Sequence, residues 1–161
     1  MKTYREVCRV SLALILAVGC SIAIAQAPAA GAAAGTLTVK GKAITLAHAA
    51  AFTDQKEKQV ILLVTEQPIP AANWKSHSDI MMYRMDKKPL RGIAFRFDDK
   101  RQVVGADYYD DQFPTSTSGI FEVKLDGPVG KTLVGTAKST AAAAKLSEPV
   151  SLNVSFNATL K

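Results

Sequence analysis

The chain has 161 residues, a formal charge of +6, 48% hydrophobic residues and only two cysteines, Cys8 and Cys20. That length amounts to one domain, large enough to bury a core without covalent staples. With both cysteines ahead of residue 21, the chain beyond residue 25 has no disulfide framework, no thiolate metal site and no cysteine nucleophile.

Residues 1–9 carry Lys2, Arg5 and Arg9 against Glu6, and an apolar run follows over residues 10–25. A positive head before such a run is the pattern of a cleavable secretory leader. Small residues at Ala23 and Ala25 place cleavage before Gln26; Pro28 disfavours cleavage after Ala27. The run is short of the ~20 residues of a spanning helix and is weakened by Ser11, Gly19 and Ser21, so the mature chain is expected to hold no transmembrane segment. A lipid anchor through Cys20 is the alternative, because Leu16-Ala17-Val18-Gly19-Cys20 resembles a lipobox. Ala17 departs from that pattern, and residues 21–25 stay apolar where a polar turn is usual. Cleavage before Gln26 takes 25 of the 161 residues and leaves 136. It also removes three basic residues and one acidic one, lowering the charge from +6 to +4, a mild balance that favours anionic surfaces weakly.

Residues 26–35 are almost wholly Ala, Gly and Pro, too small to offset their ordering entropy, and read as a flexible tether. From Thr36 the period is two. Leu37 and Val39, then Ile44, Leu46, His48, Ala50 and Phe52, predict a strand or a hairpin turning at Lys40-Gly41-Lys42. Residues 60–64 are continuously apolar and β-favouring, which predicts a central strand covered on both faces. Ser76-His77-Ser78-Asp79 places an acid three residues after a Ser cap; with the following apolar residues and Lys87-Lys88-Pro89 it marks one short helix. Ile93, Phe95 and Phe97 lead through Asp99-Lys100-Arg101 into residues 103–109, a hairpin. Residues 110–118 read as a loop, and a second hairpin turns at Asp126-Gly127. Residues 150–161 alternate apolar and polar throughout, one face buried and one wet. The pattern as a whole is mainly β: an antiparallel sandwich or small barrel of about seven strands with one short helix, forming a single domain over residues 36–161.

The chemistry-bearing residues are sparse. His48 and His77 are the only histidines, and neither has metal-ligand spacing to a partner, so no metal and no cofactor is expected. His48 reads as a core histidine on the apolar face of its strand, and His77 as a neighbour of Asp79 at a helix cap. Asp98-Asp99 and Asp110-Asp111 fall at opposite ends of a strand, roughly 20–30 Å apart, too far for paired-carboxylate catalysis. Serine-nucleophile and phosphate-loop signatures are absent. Asn153-Val-Ser and Asn157-Ala-Thr match glycosylation spacing but lie in a strand. Trp74, Tyr108, Tyr109, Asp110 and Asp111 join aromatic faces to acceptors around one loop and are the candidate ligand-binding residues. Residues 84–101 are the most basic stretch, pointing to lipid headgroups or acidic glycans and away from nucleic acid.

These observations describe an exported β-domain, periplasmic or secreted, that acts as a non-enzymatic binding or interaction module for a protein, a glycan or a small molecule. The alternatives are a small envelope hydrolase with a site drawn from His77, Asp79 and Tyr109, or a structural envelope component assembling through a sheet edge. When the full chain is expressed in an exporting host, N-terminal sequencing of the processed product is expected to begin at Gln26. A chain that keeps Met1, or one lipidated at Cys20, would contradict the leader reading.

Overall fold

The computed structural model describes residues 27–86, 89–111, 114–127 and 130–161. The leader, its cleavage point at Gln26, Cys8, Cys20, Lys87-Lys88 and Gln112-Phe113 lie outside the described residues.

The strands are β1 (Ala32–Val39), β2 (Lys42–Asp54), β3 (Gln59–Thr65), β4 (Gly92–Phe97), β5 (Val103–Tyr109), β6 (Thr115–Thr117), β7 (Phe121–Leu125), β8 (Thr132–Ser139) and β9 (Val150–Thr159). One helix, α1 (His77–Met85), and a 3-10 turn at Ala71–Asn73 fall between β3 and β4. All nine strands form one antiparallel sheet in the order β6-β5-β4-β3-β2-β1-β9-β8-β7, curled into a half-barrel. The β-rich class, the antiparallel pairing and the single helix agree with the periodicity. Two packed sheets are not formed, and the strand number is nine where about seven were expected.

β6 and the first half of β1 come from segments whose composition argued against order, whereas Leu37 and Val39 of β1 and the turn after them follow the expected hairpin. β1 starts at Ala32, inside the stretch expected to be a tether, and pairs with β9 from Ala32↔Asn157 to Val39↔Val150. Leu37 and Val39 at its far end enter the core, and although Ala32 to Gly35 bury little, their backbone donors and acceptors are satisfied on both edges, by β2 and by β9. Small size is itself required here: a Cβ on Gly35 would stand 2.2 Å from the Asn153 carbonyl oxygen. The contact extends upstream, where Asn157 Nδ2 donates to the Pro28 carbonyl at 2.9 Å. β6 lies within the expected loop 110–118 and pairs with only three residues of β5.

β6 and β7 form the ends of the sheet. Eight antiparallel pairings separate them, so they run in the same direction. Only residues 118–120 join them, and side-by-side parallel strands need a crossover of a dozen residues or more. They are therefore two halves of one broken strand, the first held by β5 and the second by β8. Thr140 fastens the break, its N–H donating to the Ile120 carbonyl at 2.9 Å.

The inner face of the curl is filled by one continuous apolar cluster that includes Leu37, Ile44, Leu62, Phe95, Phe121 and Phe156. Phe95 of β4 meets Phe121 of β7 edge-on at 6.0 Å, so the two sides of the half-barrel touch through its middle. A second cluster lies on the outer face, where Phe52, Ile61, Leu63, Ala94 and Tyr109 are covered by Ile80 of α1, Ala71 and Leu90. β3 is thus buried on both faces, as its unbroken apolar run predicts.

β2 serves both clusters because its pairing with β1 slips between Ala32↔His48 and Gly35↔Leu46. Ile44 and Leu46 face the interior, whereas Phe52, opposite Ile61, faces outward. His48 follows Phe52 to the outer face and is half-buried; the expectation of a core histidine beside Ile44 and Leu46 is corrected, because a bulge reverses the sense of alternation. Gly35→Ala is expected to lower unfolding stability by about 1–3 kcal/mol or more through overpacking against β9. Gly130→Ala, with open space around the added carbon, should leave it nearly unchanged. Equal urea midpoints for the two variants would refute the close approach of β1 and β9.

Candidate functional site

The outer face carries the buried charges. Asp54 and Asp107 are each only 2% exposed, and both belong to a polar cluster between the sheet and the start of α1. β5 alternates so that Asp107 and Tyr109 face outward, with Asp107 opposite Ala94 in β4 and Ser116 in β6. Ala94 leaves room above the carboxylate. Arg96, two residues along β4, lies opposite Gly105. A Cβ on Gly105 would stand 2.5 Å from Arg96 Nη2, so its absence lets the guanidinium lie across β5, with Nε 3.5 Å from Asp107 Oδ2.

α1 adds the imidazole. His77 Nε2 is 3.1 Å from Asp107 Oδ2, and Ser116 Oγ donates to Oδ1 of the same carboxylate. Asp54, the last residue of β2, fixes the helix start: its Oδ2 accepts the His77 backbone N–H at 2.7 Å, and its Oδ1 accepts the N–H groups of Lys56 at 2.9 Å and Glu57 at 3.0 Å. Asp79 caps the helix by accepting the N–H groups of Lys75 at 2.7 Å and Ser76 at 2.9 Å. The capping role expected of Ser76 and Asp79 is present, but His77 takes no part in it. The imidazole turns to Asp107 instead.

Burial alone would raise the Asp107 pKa, yet contacts from His77 and Ser116 and the nearby Arg96 charge bring it below the ordinary carboxylate value. For Asp54, burial is likewise outweighed by the backbone N–H groups of Glu57, His77 and Lys56, and its pKa is also lowered. Burial, reinforced by the Asp107 charge, pushes the Tyr109 phenol well above its usual range. Arg84 lies 5.4 Å from the centre of the Tyr109 ring, a cation–π distance. The Tyr109 hydroxyl is buried with no hydrogen-bond partner among the described residues.

The chemistry of this cluster is that of a carboxylate hub. Nucleophilic catalysis needs a hydroxyl or thiol that gives its proton to a base, with a third group orienting the base. Here Ser116 and His77 both address Asp107 and not each other: Ser116 donates to Oδ1, while His77 Nε2 and Arg96 Nε lie at ion-pair distance from Oδ2. Among the described residues, no group of three His, Cys, Asp or Glu side chains is placed to hold a metal ion.

The candidate ligand-binding residues are divided between the two faces. Tyr108 points into the inner cluster, whereas its neighbour Tyr109 lies under α1. Trp74 is wedged between Phe52 at 5.8 Å and Tyr83 at 5.5 Å. Asp110 is half-buried and Asp111 exposed, the latter with Oδ1 3.4 Å from Arg91 Nε. The expected aromatic loop therefore does not gather into one surface, because adjacent residues on a strand take opposite faces.

The basic stretch is dispersed in the same way. Arg84 stacks on Tyr109, Arg91 pairs with Glu66 at 3.1 Å, and Arg96 leans on Asp107. A cleft of about 90 Å³ is lined by Lys40, Lys42, Arg91, Asp110 and Asp111 at one end of the sheet. Another, of about 230 Å³, lies between β2 and the 3-10 turn. Both are below the ~300–1,000 Å³ of an ordinary small-molecule site. No helix among the described residues is long and apolar enough to cross a membrane.

Asp107, Arg96, Ser116 and Asp54 were not singled out by motif or spacing. Asp107 had one legible signal, as the only charged residue within β5. Both buried acids have native pKa values below the unfolded value of ~3.9, so their contribution is present above about pH 4 and is lost as pH falls through the native values. Asp107→Asn is expected to cost about 1.5–3 kcal/mol at pH 7, with the gap to the unmodified protein closing on acidification below pH 4. A pH-independent gap in urea unfolding would contradict the charged hub. No family model matches the chain, and no curated protein and no solved structure matches it either.

Proposed function

We propose that the protein is an exported, non-enzymatic binding domain that meets its partner on its outer surface. The observation that carries this reading is the filled interior. The contact of Phe95 with Phe121 across the half-barrel occupies the space where a carried ligand would sit. The hub arrangement around Asp107 supports the non-enzymatic half of the reading, since its hydroxyl and imidazole both spend their contacts on the acid.

The part of the outer surface best suited to a partner is the first half of β5. β6 pairs only with Ala106, Asp107 and Tyr108, so on that side Val103, Val104 and Gly105 have no strand beside them among the described residues. Val104 is 45% exposed, and the adjoining turn displays Lys100 and Arg101. An unpaired apolar edge beside basic residues suits an extended acidic segment added as a further strand. The second reading, a hydrolase, is favoured by the His77–Asp107 contact, which resembles the base-orienting half of a catalytic triad.

Selection of displayed random peptides on the immobilised protein is expected to enrich acidic, β-branched sequences whose binding falls at least tenfold in Val104→Glu. Failure to enrich, or indifference to Val104→Glu, would remove the edge as the binding surface. On a panel of chromogenic esters, phosphoesters and glycosides, the protein and its His77→Ala variant are expected to match buffer. Turnover that disappears in His77→Ala, with unchanged circular dichroism, would replace the binding reading with the hydrolase.

A further inference from the structure

The chain contains four methionines, Met1, Met81, Met82 and Met85. Three of them stand within five residues of α1. At 3.6 residues per turn, Met85 falls about 40° from Met81 and about 60° from Met82 around the helix axis, one turn further along it. One side of the helix therefore gathers three thioethers.

That side faces solvent. Met82 is 58% and Met85 72% exposed, the largest exposures among the big apolar side chains described, and Met81 is half-buried. Methionine in a folded domain ordinarily fills irregular gaps in the core. Here the opposite side of α1 does the packing, with Ile80 in the outer cluster and Arg84 over Tyr109. Nothing in the packing of the helix calls for methionine at 82 or 85, where a charged residue would cost less to expose.

The helix is also held firmly at its start. Asp79 accepts two backbone N–H groups at the cap, Asp54 accepts the His77 N–H, and His77 Nε2 lies against Asp107. The three side chains project from a pinned backbone, which lowers the cost of ordering them around a ligand.

We propose that Met81, Met82 and Met85 form a binding site for a soft monovalent metal ion, Cu(I), coordinated by three thioether sulfurs. Thioethers are soft and neutral donors that suit Cu(I), whereas Zn(II), Mg(II) and Ca(II) prefer imidazole, thiolate or oxygen ligands. A thioether has no proton to lose, so this site differs from a cysteine or histidine site in holding its metal independently of pH over the neutral and mildly acidic range. The site stands apart from the β5 edge and does not depend on the binding reading above.

Anaerobic titration of the purified protein with Cu(I), in ascorbate and in competition with the chromogenic chelator bicinchoninate, tests the proposal. One Cu(I) per chain is expected, with the same affinity at pH 5.5 and pH 7.5 and no retention of Zn(II). Met82→Leu and Met85→Leu are each expected to weaken binding at least tenfold, and the triple Met→Leu variant to abolish it. Leucine keeps the volume and helix propensity of methionine, so circular dichroism and thermal melting should be unchanged and loss of fold is excluded as a cause. Copper K-edge absorption should show sulfur neighbours. The proposal is overturned if the chelator keeps all the copper, if the triple leucine variant binds as the unmodified protein does, or if the copper neighbours are nitrogen or oxygen alone.

Discussion

Eight residues of β1 paired with eight of β9 join two meanders that would otherwise be separate. β2 to β6 form one run of neighbours and β7 to β9 another, and β1, paired with β2 on one edge and with β9 on the other, makes them a single sheet. Over Ala32 to Gly35, which have little side chain to contribute, the join is made of backbone hydrogen bonds and close approach, and beyond them Leu37 and Val39 enter the core beside Leu152 and Val150. Opposite Val154 and Phe156 stand Gly35 and Ala33, with almost no side chain, and this lets the two backbones come near enough there for a Cβ on Gly35 to collide. The curl, the filled interior and the broken β6–β7 strand all follow once that ladder exists.

On the outer face, the register slip between β1 and β2 has the corresponding role. By turning Phe52 and Asp54 outward, it supplies both the apolar floor for α1 and the carboxylate that receives the first N–H of the helix. Asp107 then links α1 to β4, β5 and β6 through His77, Arg96 and Ser116. A carboxylate so deeply buried would be unfavourable without partners. One hydroxyl donor and two cationic or imidazole neighbours, from three different elements, make it a point of specificity for where the helix sits.

Periodicity made the long strands legible. β9 alternates without a fault, β3 is apolar throughout, and Asp126-Gly127 marked its hairpin correctly. α1 was legible from its cap. The first half of β1 and the whole of β6 were not, because strand pairing satisfies backbone groups whatever the side chains are, and alanine or threonine runs leave no alternation to read. The inversion at His48 was hidden for a related reason: a register slip between paired strands reverses every later facing assignment. The polar cluster draws its members from β2, α1, β4, β5 and β6, and residues brought together by a sheet share no spacing along the chain. The candidate loop is divided for the opposite reason. Tyr108 and Tyr109 are adjacent in sequence and are separated by the thickness of the sheet.

The β1–β9 ladder also determines the order in which the molecule can become whole. β1 is the first strand described and β9 the last, so the pairing that unites the sheet spans more than a hundred residues and its loop-closure entropy must be met before any of its hydrogen bonds form. The β2–β6 hairpins can assemble locally long before that. A chain stopped short of Val150 would carry β1 with one bare edge and β8 with another, two adhesive margins in place of one closed join. Folding of this protein is therefore a zipper whose slider starts at the last strand, and its vulnerability to aggregation is concentrated in the interval before that strand arrives.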